Sequence, residues 1–182
     1  MGWDELDKNG NPTGQQIMKS EAHRKGLYHM SVHIWLYTPN AQVLIQQRAA
    51  GKDTHPLRWD VSVAGHVGAG ETVELSAVRE VMEEIGLEIH VDDLYKIGVF
   101  KSEHQHSHNL IDREFHHTFL CQLSRPLYDL QKQKEEVAQL RLMPLSQLAE
   151  ETWGLATTDR YVPHGTTYYK TIIRAIQKRL NA

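Results

Sequence analysis

The sequence contains a single cysteine, Cys121, among 182 residues, so no disulfide can form within the chain. It also lacks an apolar run of the roughly 20 residues that a membrane-spanning helix needs, and its first residues contain neither the basic nor the apolar segment of a secretory signal. The formal net charge is -3, far from the positive balance with which proteins neutralise duplex phosphates. These absences predict a cytoplasmic protein that binds neither a membrane nor duplex nucleic acid.

The composition, with 40% apolar and 24% charged residues, is typical of a globular protein. No internal repeat, low-complexity tract or linker interrupts the chain, so we predict one domain over residues 1–182. A chain of this length can bury about two thirds of its unfolded surface, which is enough for a hydrophobic core.

Turn residues and apolar periodicity predict hairpin-connected strands and three helices. Asn9-Gly10 predicts an N-terminal hairpin, and Pro39-Asn40 predicts a second one. Further strands are predicted at 60–64, 96–101, 114–123 and 138–143, and helices at 72–85, 145–151 and 166–180. The last helix has a predicted core stripe formed by Tyr169, Ile172, Ile173, Ile176 and Leu180. Hairpins with helices laid against them indicate an α+β fold rather than a doubly wound sheet.

The stretch GHVGAGETVELSAVREVMEEIGL, residues 65–87, contains five glutamates. Thr72 can cap a helix that ends at Gly86. The predicted apolar side of this helix consists of Leu75, Val78, Val81, Met82 and Ile85. Glu80, Glu83 and Glu84 are predicted to lie on the other side, where like charges at i, i+4 cost roughly 0.2–0.5 kcal/mol per pair. A cation should therefore offset their repulsion.

Two explanations of the acidic side are open at this point. The first is a solvated helix face with Arg79 nearby, which is the usual meaning of a charge run. The second is a divalent cation, because clustered carboxylates without cysteine suit Mg²⁺ or Mn²⁺, and Mg²⁺ commonly joins carboxylates to substrate phosphates. Gly65, Gly68 and Gly70 precede the helix and allow the backbone to approach a metal or a phosphate closely. The loop, the helix and the acids together describe a diphosphate site.

The same stretch resembles the Nudix box, G-x5-E-x7-R-E-U-x-E-E-x-G-U, in which U is aliphatic. Every fixed position matches: Gly65, Glu71, Arg79, Glu80, Val81, Glu83, Glu84, Gly86 and Leu87. The resemblance implies a Nudix fold, with a mixed sheet between helices, and hydrolysis of a nucleoside diphosphate linked to another group, X. It also implies that Glu80, Glu83, Glu84 and the carbonyl of Gly65 bind Mg²⁺ or Mn²⁺. Glu71 and Arg79 would then fix the loop against the helix.

A wider resemblance, from Ala22-His23 to the strand at 138–143, connects the chain with type 1 isopentenyl diphosphate isomerase. That enzyme shares the Nudix fold but moves a double bond. A cysteine precedes the Gly-His pair of the isomerase and carries protons on carbon, whereas this chain has Ala64 before Gly65-His66. The isomerase also has a degraded Nudix box, and the box of this chain is complete. Both departures favour hydrolysis.

The isomerase resemblance also points to a second set of residues that could bind a metal. His23, His29, His66 and Glu114 fall where the isomerase has metal-binding residues, and His116 stands where it has a second glutamate. A His/Glu set can hold Zn²⁺ or Mn²⁺. The alternative is that these residues are ordinary polar residues without a metal.

Three glutamates are candidates for the base that assists the attacking water. They are Glu80 within the box, Glu114 at the start of a strand, and Glu136 in the segment KEEVAQL; Glu80 ranks first because the motif determines its position. Arg48 and Arg58 could pair with phosphate oxygens or be ordinary surface arginines.

The histidine alternation HQHSH at 104–108 is predicted to lie in a solvated loop before a strand, with substrate contact as the alternative. Three classes of function are then open: a metal-dependent diphosphate hydrolase, a diphosphate isomerase, and a catalytically silent nucleotide-binding module. The complete glutamate set argues against the silent module, and Ala64 argues against the isomerase. The sequence therefore predicts a pyrophosphohydrolase for a small-molecule diphosphate. The identity of X and the oligomeric state, a homodimer included, stay open.

Overall fold

The computed structural model describes residues 2–154 and 158–182, and within these ranges it contains nine strands and four α-helices. The strands are β1 (Trp3–Leu6), β2 (Pro12–Ile17), β3 (Tyr28–Tyr37), β4 (Gln42–Arg48), β5 (Trp59–Asp60), β6 (Val63–His66), β7 (Tyr95–Ser107), β8 (Leu110–Gln122) and β9 (Val137–Pro144). The helices are α1 (Lys19–Lys25), α2 (Val73–Ile85), α3 (Leu145–Thr152) and α4 (Thr166–Leu180). No helix in the described ranges is long and apolar enough to cross a membrane.

Strand β3 organises a mixed sheet. It runs parallel to β8 from the pair Tyr28–Arg113 to the pair Tyr37–Gln122, and it runs antiparallel to β6. Strand β7 pairs antiparallel with β8, while β5 and β9 pair antiparallel with β4. The N-terminal hairpin of β1 and β2 joins β3 through β1.

The two faces of β3 pack against different helices, because successive side chains of a strand point to opposite faces. On one face a core cluster joins the sheet to α2 and includes Val32, Ile34, Leu36, Ala77, Val81 and Ile85. On the other face a second cluster joins it to α3 and α4 and includes Trp35, Tyr37, Leu148, Ile172, Ile173 and Ile176. The predicted α+β architecture, with a mixed sheet between helices, is confirmed.

Most of the predicted elements are confirmed. The Asn9-Gly10 turn is stabilised by Asp7, whose Oδ1 accepts hydrogen bonds from the backbone N–H groups of Asn9 and Asn11 at 2.8 and 3.0 Å. The stripe of α4 is buried at its first four positions, and Leu180 packs partly buried against the same core. The predicted helix 72–85 also begins and ends as expected, because Thr72 Oγ1 accepts from the Leu75 N–H and Gly86 takes a φ of +68°.

Two predicted elements need correction, and one helix was not predicted. The strand predicted at 60–64 is two short strands, β5 and β6, separated by residues 61 and 62. Helix α1 was not predicted, because its seven residues are too few for a convincing apolar period. Residues 104–107, predicted as loop, belong to β7, which pairs with β8 almost to the tip of the hairpin.

The predicted apolar side of α2 is also wrong in part. Leu75 and Met82 are 55% and 45% exposed, and the helix packs on the sheet through residues 77, 81 and 85. Residues 80 and 84 are separated from these by three or four positions, so they lie on the inner side as well. Glu84 is consequently only 4% exposed. The acidic residues of α2 therefore divide between the sheet side and the solvent side.

Candidate active site

A cleft with a volume of about 390 Å³ opens between the loop before α2, the N-terminal part of β3 and the tip of the β7–β8 hairpin. Its walls include seven of the predicted site residues: Arg48, Gly65, Glu80, Glu83, Glu84, Glu114 and Glu136. Arg58 is the exception, because it lies outside this lining and its guanidinium donates to the carbonyl of Tyr161 at 3.4 Å. The fold thus brings together all but one of the residues predicted for catalysis, metal binding and phosphate binding.

Glu84 is the most deeply buried of the α2 glutamates. Its Oε1 accepts from Gln46 Nε2 at 2.9 Å and from the Ala64 N–H at 3.3 Å. Burial and, to a smaller extent, the nearby Glu80 carboxylate raise the pKa of Glu84 to about 8. Without a cation, this carboxyl group therefore retains a proton near neutral pH.

Glu80 lies one turn before Glu84 at the edge of the same wall. Burial raises the pKa of Glu80 to about 7, although a 2.8 Å hydrogen bond from Arg79 opposes the shift. Glu83 is more accessible, with a side chain that is 51% exposed. The three carboxyl groups thus range from buried to half exposed along one edge of the cleft. Clustered carboxylates of this kind suit a hard divalent cation.

Arg79 holds the loop before α2 against the helix. Its Nε and Nη2 donate to the two carboxylate oxygens of Glu71 at 3.0 and 2.8 Å, and Nη2 also donates to the carbonyl of His66 at 3.0 Å. This bidentate contact is the main reason that the pKa of Glu71 falls to about 2. Glu71 also accepts from Ser76 and from the Gly68 N–H. The two residues that the Nudix box implied to be structural are therefore joined directly.

Gly65 lies against the acidic wall at a position that no other residue could occupy without movement. A Cβ atom at this position would overlap the side chain of Glu80. The backbone of β6 can therefore approach the Glu80 carboxyl closely only because residue 65 is glycine. Gly65 and three of the α2 glutamates thus line the same cleft.

Glu136 enters the cleft from the loop before β9. It forms a close salt bridge with Lys52, and its charge contributes to the raised pKa values of Glu80 and Glu84. On the adjacent strand, Arg48 is held by the Thr54 carbonyl at 3.0 Å and by Asp60 Oδ2 at 3.5 Å. Arg48 and Lys52 are thus both cations of the wall that are held by a carboxylate, Arg48 by Asp60 and Lys52 by Glu136.

A second cluster of potential metal ligands lies at the N-terminal end of β3. His29 Nε2 is 3.3 Å from Glu114 Oε1 and 3.7 Å from Asp112 Oδ1, while His66 Nε2 is 3.2 Å from Glu114 Oε1. His23 Nε2 is 3.7 Å from Asp112 Oδ1. These atoms form two overlapping groups, each of three side chains close enough to share one ion.

Charge and hydrogen bonding in this cluster also fit a cation. His23 Nε2 and Asp112 Oδ1 are buried and have no hydrogen-bond partner among the described residues. Burial and the neighbouring Glu114 raise the pKa of Asp112 to about 9. Hydrogen bonds from His116, His29 and His66 outweigh burial and hold the pKa of Glu114 low. Two adjacent carboxyl groups, only one of them ionised, would both be ionised beside a metal.

The structure corrects one member of the predicted second set. His116 belongs to neither group of side chains close enough to share an ion; its Nδ1 lies 2.5 Å from the Ser31 hydroxyl and 3.1 Å from Glu114 Oε2, and its Nε2 lies 2.7 Å from the Ser102 hydroxyl. Asp112, which was not predicted, belongs to one of the two groups. It precedes Glu114 by two positions in β8, so both side chains point to the same face of the strand. This period-two signal is present in the sequence but was missed.

The floor of the cleft around Ala64 is polar. Ala64 pairs with His33, and His33 stacks on His116 with a ring separation of 4.1 Å. His33 Nδ1 lies 2.6 Å from the Tyr168 hydroxyl, and the ring of His164 lies 5.1 Å from that of His33. Burial lowers the pKa of His33 well below its usual range, so its ring is neutral.

The histidine alternation predicted as loop contributes to the cleft from β7. His104 and His106, two positions apart on the strand, both line it and meet His55 with ring separations of 5.9 and 4.9 Å. Substrate contact, the alternative stated for this segment, is therefore geometrically accessible.

Comparison with known proteins agrees with these features. The family model for the NUDIX domain matches residues 27–164. Nudix hydrolase 3 of Arabidopsis thaliana is 39% identical over 146 residues, which cover 78% of this chain but only 19% of that protein. An uncharacterized Nudix hydrolase of Clostridium acetobutylicum is 30% identical, with 95% of each chain covered.

The isomerase resemblance and the fold are supported by two further comparisons. Isopentenyl-diphosphate Delta-isomerase 2 of Photorhabdus laumondii is 32% identical over 126 residues, or 69% of each chain. The crystal structure of DR0079 from Deinococcus radiodurans superposes with a TM-score of 0.66 at 20% identity, covering 93% of this chain and 98% of that one. The chain therefore belongs to the Nudix family of pyrophosphohydrolases, among members that neighbour the type 1 isomerases.

Proposed function

We propose that the protein is a divalent-metal-dependent hydrolase that cleaves the diphosphate bond of a nucleoside diphosphate linked to X, by attack of water on phosphorus. The observation that carries this proposal is the convergence of Glu80, Glu83, Glu84 and the backbone of Gly65 on one cleft. Oxygen ligands without cysteine suit Mg²⁺ or Mn²⁺ rather than a thiophilic metal.

The side chains of the cleft support this chemistry in separate ways. Glu80, Glu83 and Glu84 would hold the metal, which supplies Lewis acidity toward the diphosphate oxygens and lowers the pKa of water. Arg48 would pair with phosphate oxygens, because Thr54 and Asp60 already orient its guanidinium. Arg58, which lies outside the cleft lining, has no part in this proposal.

The second cluster supports a further cation site formed by His23, His29, His66, Asp112 and Glu114. Mixed imidazole and carboxylate ligands favour Zn²⁺ or Mn²⁺ over Mg²⁺. Trp3 stacks on the rings of His29 and His66 at 4.4 and 4.1 Å and so packs against this cluster. Such a site would hold one end of a bound diphosphate while the α2 glutamates act at the other.

Diphosphate isomerisation is the second candidate function. Two observations favour it: the chain contains the histidine and carboxylate cluster, and one of its relatives is named an isopentenyl-diphosphate isomerase. Isomerisation requires a group that protonates carbon and an environment that shelters a carbocation. The side chain of Ala64 has no exchangeable proton, and the cleft lining near it includes the polar rings of His33, His116 and His164. Hydrolysis is therefore the better supported of the two.

A phosphate-release screen tests the proposal. The panel should include nucleoside diphosphates, dinucleotides, nucleotide sugars, coenzyme A and prenyl diphosphates, each with Mg²⁺ and with EDTA. We expect Mg²⁺-dependent release from at least one nucleotide compound. If no compound is cleaved, and isopentenyl diphosphate takes up deuterium on carbon in D₂O, the isomerase replaces the hydrolase.

A further inference from the structure

His164 and Asp60 form a buried imidazole–carboxylate pair on the floor of the cleft. His164 Nε2 donates to Asp60 Oδ1 at 2.7 Å, and the two side chains are only 8% and 4% exposed. The Val61 N–H also donates to Oδ1 at 2.7 Å, and Arg48 Nη1 lies 3.5 Å from Oδ2. Burial alone would raise the pKa of Asp60, but His164 and Arg48 hold it below its usual range. Asp60 is therefore a fixed carboxylate.

This contact determines which nitrogen of His164 can accept a proton. A carboxylate at Nε2 favours the tautomer with hydrogen on Nε2, and it leaves Nδ1 with a free lone pair. Nδ1 has no hydrogen-bond partner among the described residues, and His164 lines the cleft. A carboxylate on one nitrogen also stabilises the imidazolium that forms when the other nitrogen takes a proton.

The pair lies beside the acidic wall. Asp60 of β5 pairs directly with Gln46 of β4, and Gln46 Nε2 donates to Glu84 at 2.9 Å. Arg48 follows Gln46 by two positions on the same strand, so both side chains point to the same face as Asp60. Neighbouring residues of β4 and β5 therefore connect Arg48, Glu84 and the imidazole–carboxylate pair.

The glutamates predicted as general base are each engaged by a positive or hydrogen-bonding partner. Glu80 accepts from Arg79 at 2.8 Å, and Glu136 is in a salt bridge with Lys52. Glu114 lies within hydrogen-bonding distance of three histidines: His29, His66 and His116. Each of these contacts occupies a carboxylate oxygen, whereas Nδ1 of His164 has no hydrogen-bond partner among the described residues.

We propose that His164 is the general base of the hydrolysis and that Asp60 is its positioning residue. This role rests on the proposed function. A water oxygen forms a bond to phosphorus, and its proton passes to Nδ1 of His164. The bond between phosphorus and the bridging oxygen breaks, and the electron pair remains on the leaving phosphate. The imidazolium then returns its proton to solvent.

The pH dependence of such a base is set by the groups that face it. They are Asp60 from β5, Arg48 from β4, His33 from β3, His104 from β7, His116 from β8, and Tyr168 and Tyr169 from α4. Replacement of His164 alone leaves all of these neighbours in place. A limb of the pH–rate profile that belongs to His164 should then disappear, whereas a limb that belongs to a neighbour should remain.

The test uses the full chain with saturating Mg²⁺ and the panel diphosphate that it cleaves fastest. H164Q should lower kcat by roughly 10²–10⁴-fold, leave KM nearly unchanged and remove the low-pH limb of the profile. D60N should also lower kcat and leave a residual limb, because His164 is present but misoriented. H108Q replaces an exposed histidine outside the cleft lining and should behave as wild type.

A second measurement uses the unmutated protein and needs no turnover. Imidazole ¹⁵N NMR in metal-free buffer at pH 8 should assign hydrogen to Nε2 of His164 and a lone pair to Nδ1, and D60N should mix the two tautomers. Two results would contradict the assignment of His164 as the base but not the proposed hydrolase function. They are hydrogen on Nδ1 in the wild type, and Mg²⁺-dependent hydrolysis with unchanged kcat in H164Q. A protein that cleaves no diphosphate contradicts the proposed function and the base together.

Discussion

Gln46 and Glu84 are joined by a 2.9 Å hydrogen bond that fixes a buried carboxyl of α2 against strand β4. Gln46 Nε2 also donates to the carbonyl of Ser62 at 3.0 Å, so both donors of this amide nitrogen are used. The carboxyl is thereby oriented before any cation arrives, although burial opposes its ionisation. Because this carboxyl is oriented but costly to ionise, its protonation should affect the stability of the metal-free protein.

The stability of the metal-free protein should fall as the pH rises from 6.5 to 9. The folded-state pKa values of Glu80, Glu84 and Asp112 are raised to about 7, 8 and 9, so the folded protein retains protons that the unfolded chain has already released. Their contribution is complete below the unfolded values near 4 and is lost as the pH passes through the raised values. Thermal unfolding in EDTA at a series of pH values measures this loss of stability. The Tm of E84Q should fall less than that of the wild type between pH 6.5 and 9. An equal decline in E84Q would remove Glu84 as a cause.

Removing one carboxylate should abolish activity without loss of stability. We expect E83Q and E84Q each to lower kcat by orders of magnitude, while the Tm in EDTA stays unchanged or rises, because E83Q removes a charge from a crowded acidic cluster and E84Q removes a buried group that is costly to ionise. Glu74 lies on the same helix but outside the cleft lining, so E74Q is the matched control. Full activity in E83Q and E84Q would leave only the solvated-face explanation of the acidic cluster.

Replacement of Gly65 should separate folding from metal binding. G65A places a Cβ against the Glu80 carboxyl, so either β6 or the glutamate must move. We expect weaker Mg²⁺ stabilisation, measured as a smaller rise in Tm on adding Mg²⁺. G51A is the control, because Gly51 also lines the cleft but has open space at its Cβ position. The same Mg²⁺ response in G65A and wild type would contradict the close approach of the Gly65 backbone to the metal.

The second cluster should bind a transition metal independently of the α2 glutamates. Metal analysis after dialysis against Zn²⁺ or Mn²⁺ should give about one ion per chain at this site, and H29A or D112N should lose it. H116A retains the five ligands and should keep the ion. If H116A loses the metal while D112N keeps it, then the structural correction from His116 to Asp112 is wrong.

The acidic helix was predictable because its signals are local. Thr72, Gly86 and the spacing of the glutamates lie within one segment, so caps and period alone locate the helix. Which side of it is buried was not predictable in the same way. Burial of Glu84 depends on Gln46, which is distant in sequence, and apolar Leu75 and Met82 are left exposed. Tertiary packing therefore overrode the apolar pattern.

The remaining site residues required contacts between distant segments. Asp60 and His164 are joined across more than 100 positions, and the sequence offers no motif that pairs them. Asp112 is different, since its spacing of two from Glu114 was a usable signal, but the predicted strand at 114–123 began after Asp112, whereas the observed strand begins at Leu110. Helix α1, which carries His23, was too short to be recognised by periodicity. The box could thus be read from the sequence, whereas the floor of the cleft could not.

The most direct test of the central claim follows oxygen from water into the product. Hydrolysis of the best panel diphosphate is run with Mg²⁺ in H₂¹⁸O, and each phosphate product is analysed by mass spectrometry. Attack of water on phosphorus predicts one ¹⁸O atom in one phosphate product per turnover, with none in EDTA. Turnover that leaves both phosphates free of ¹⁸O, with the label on the carbon of X instead, would contradict the account.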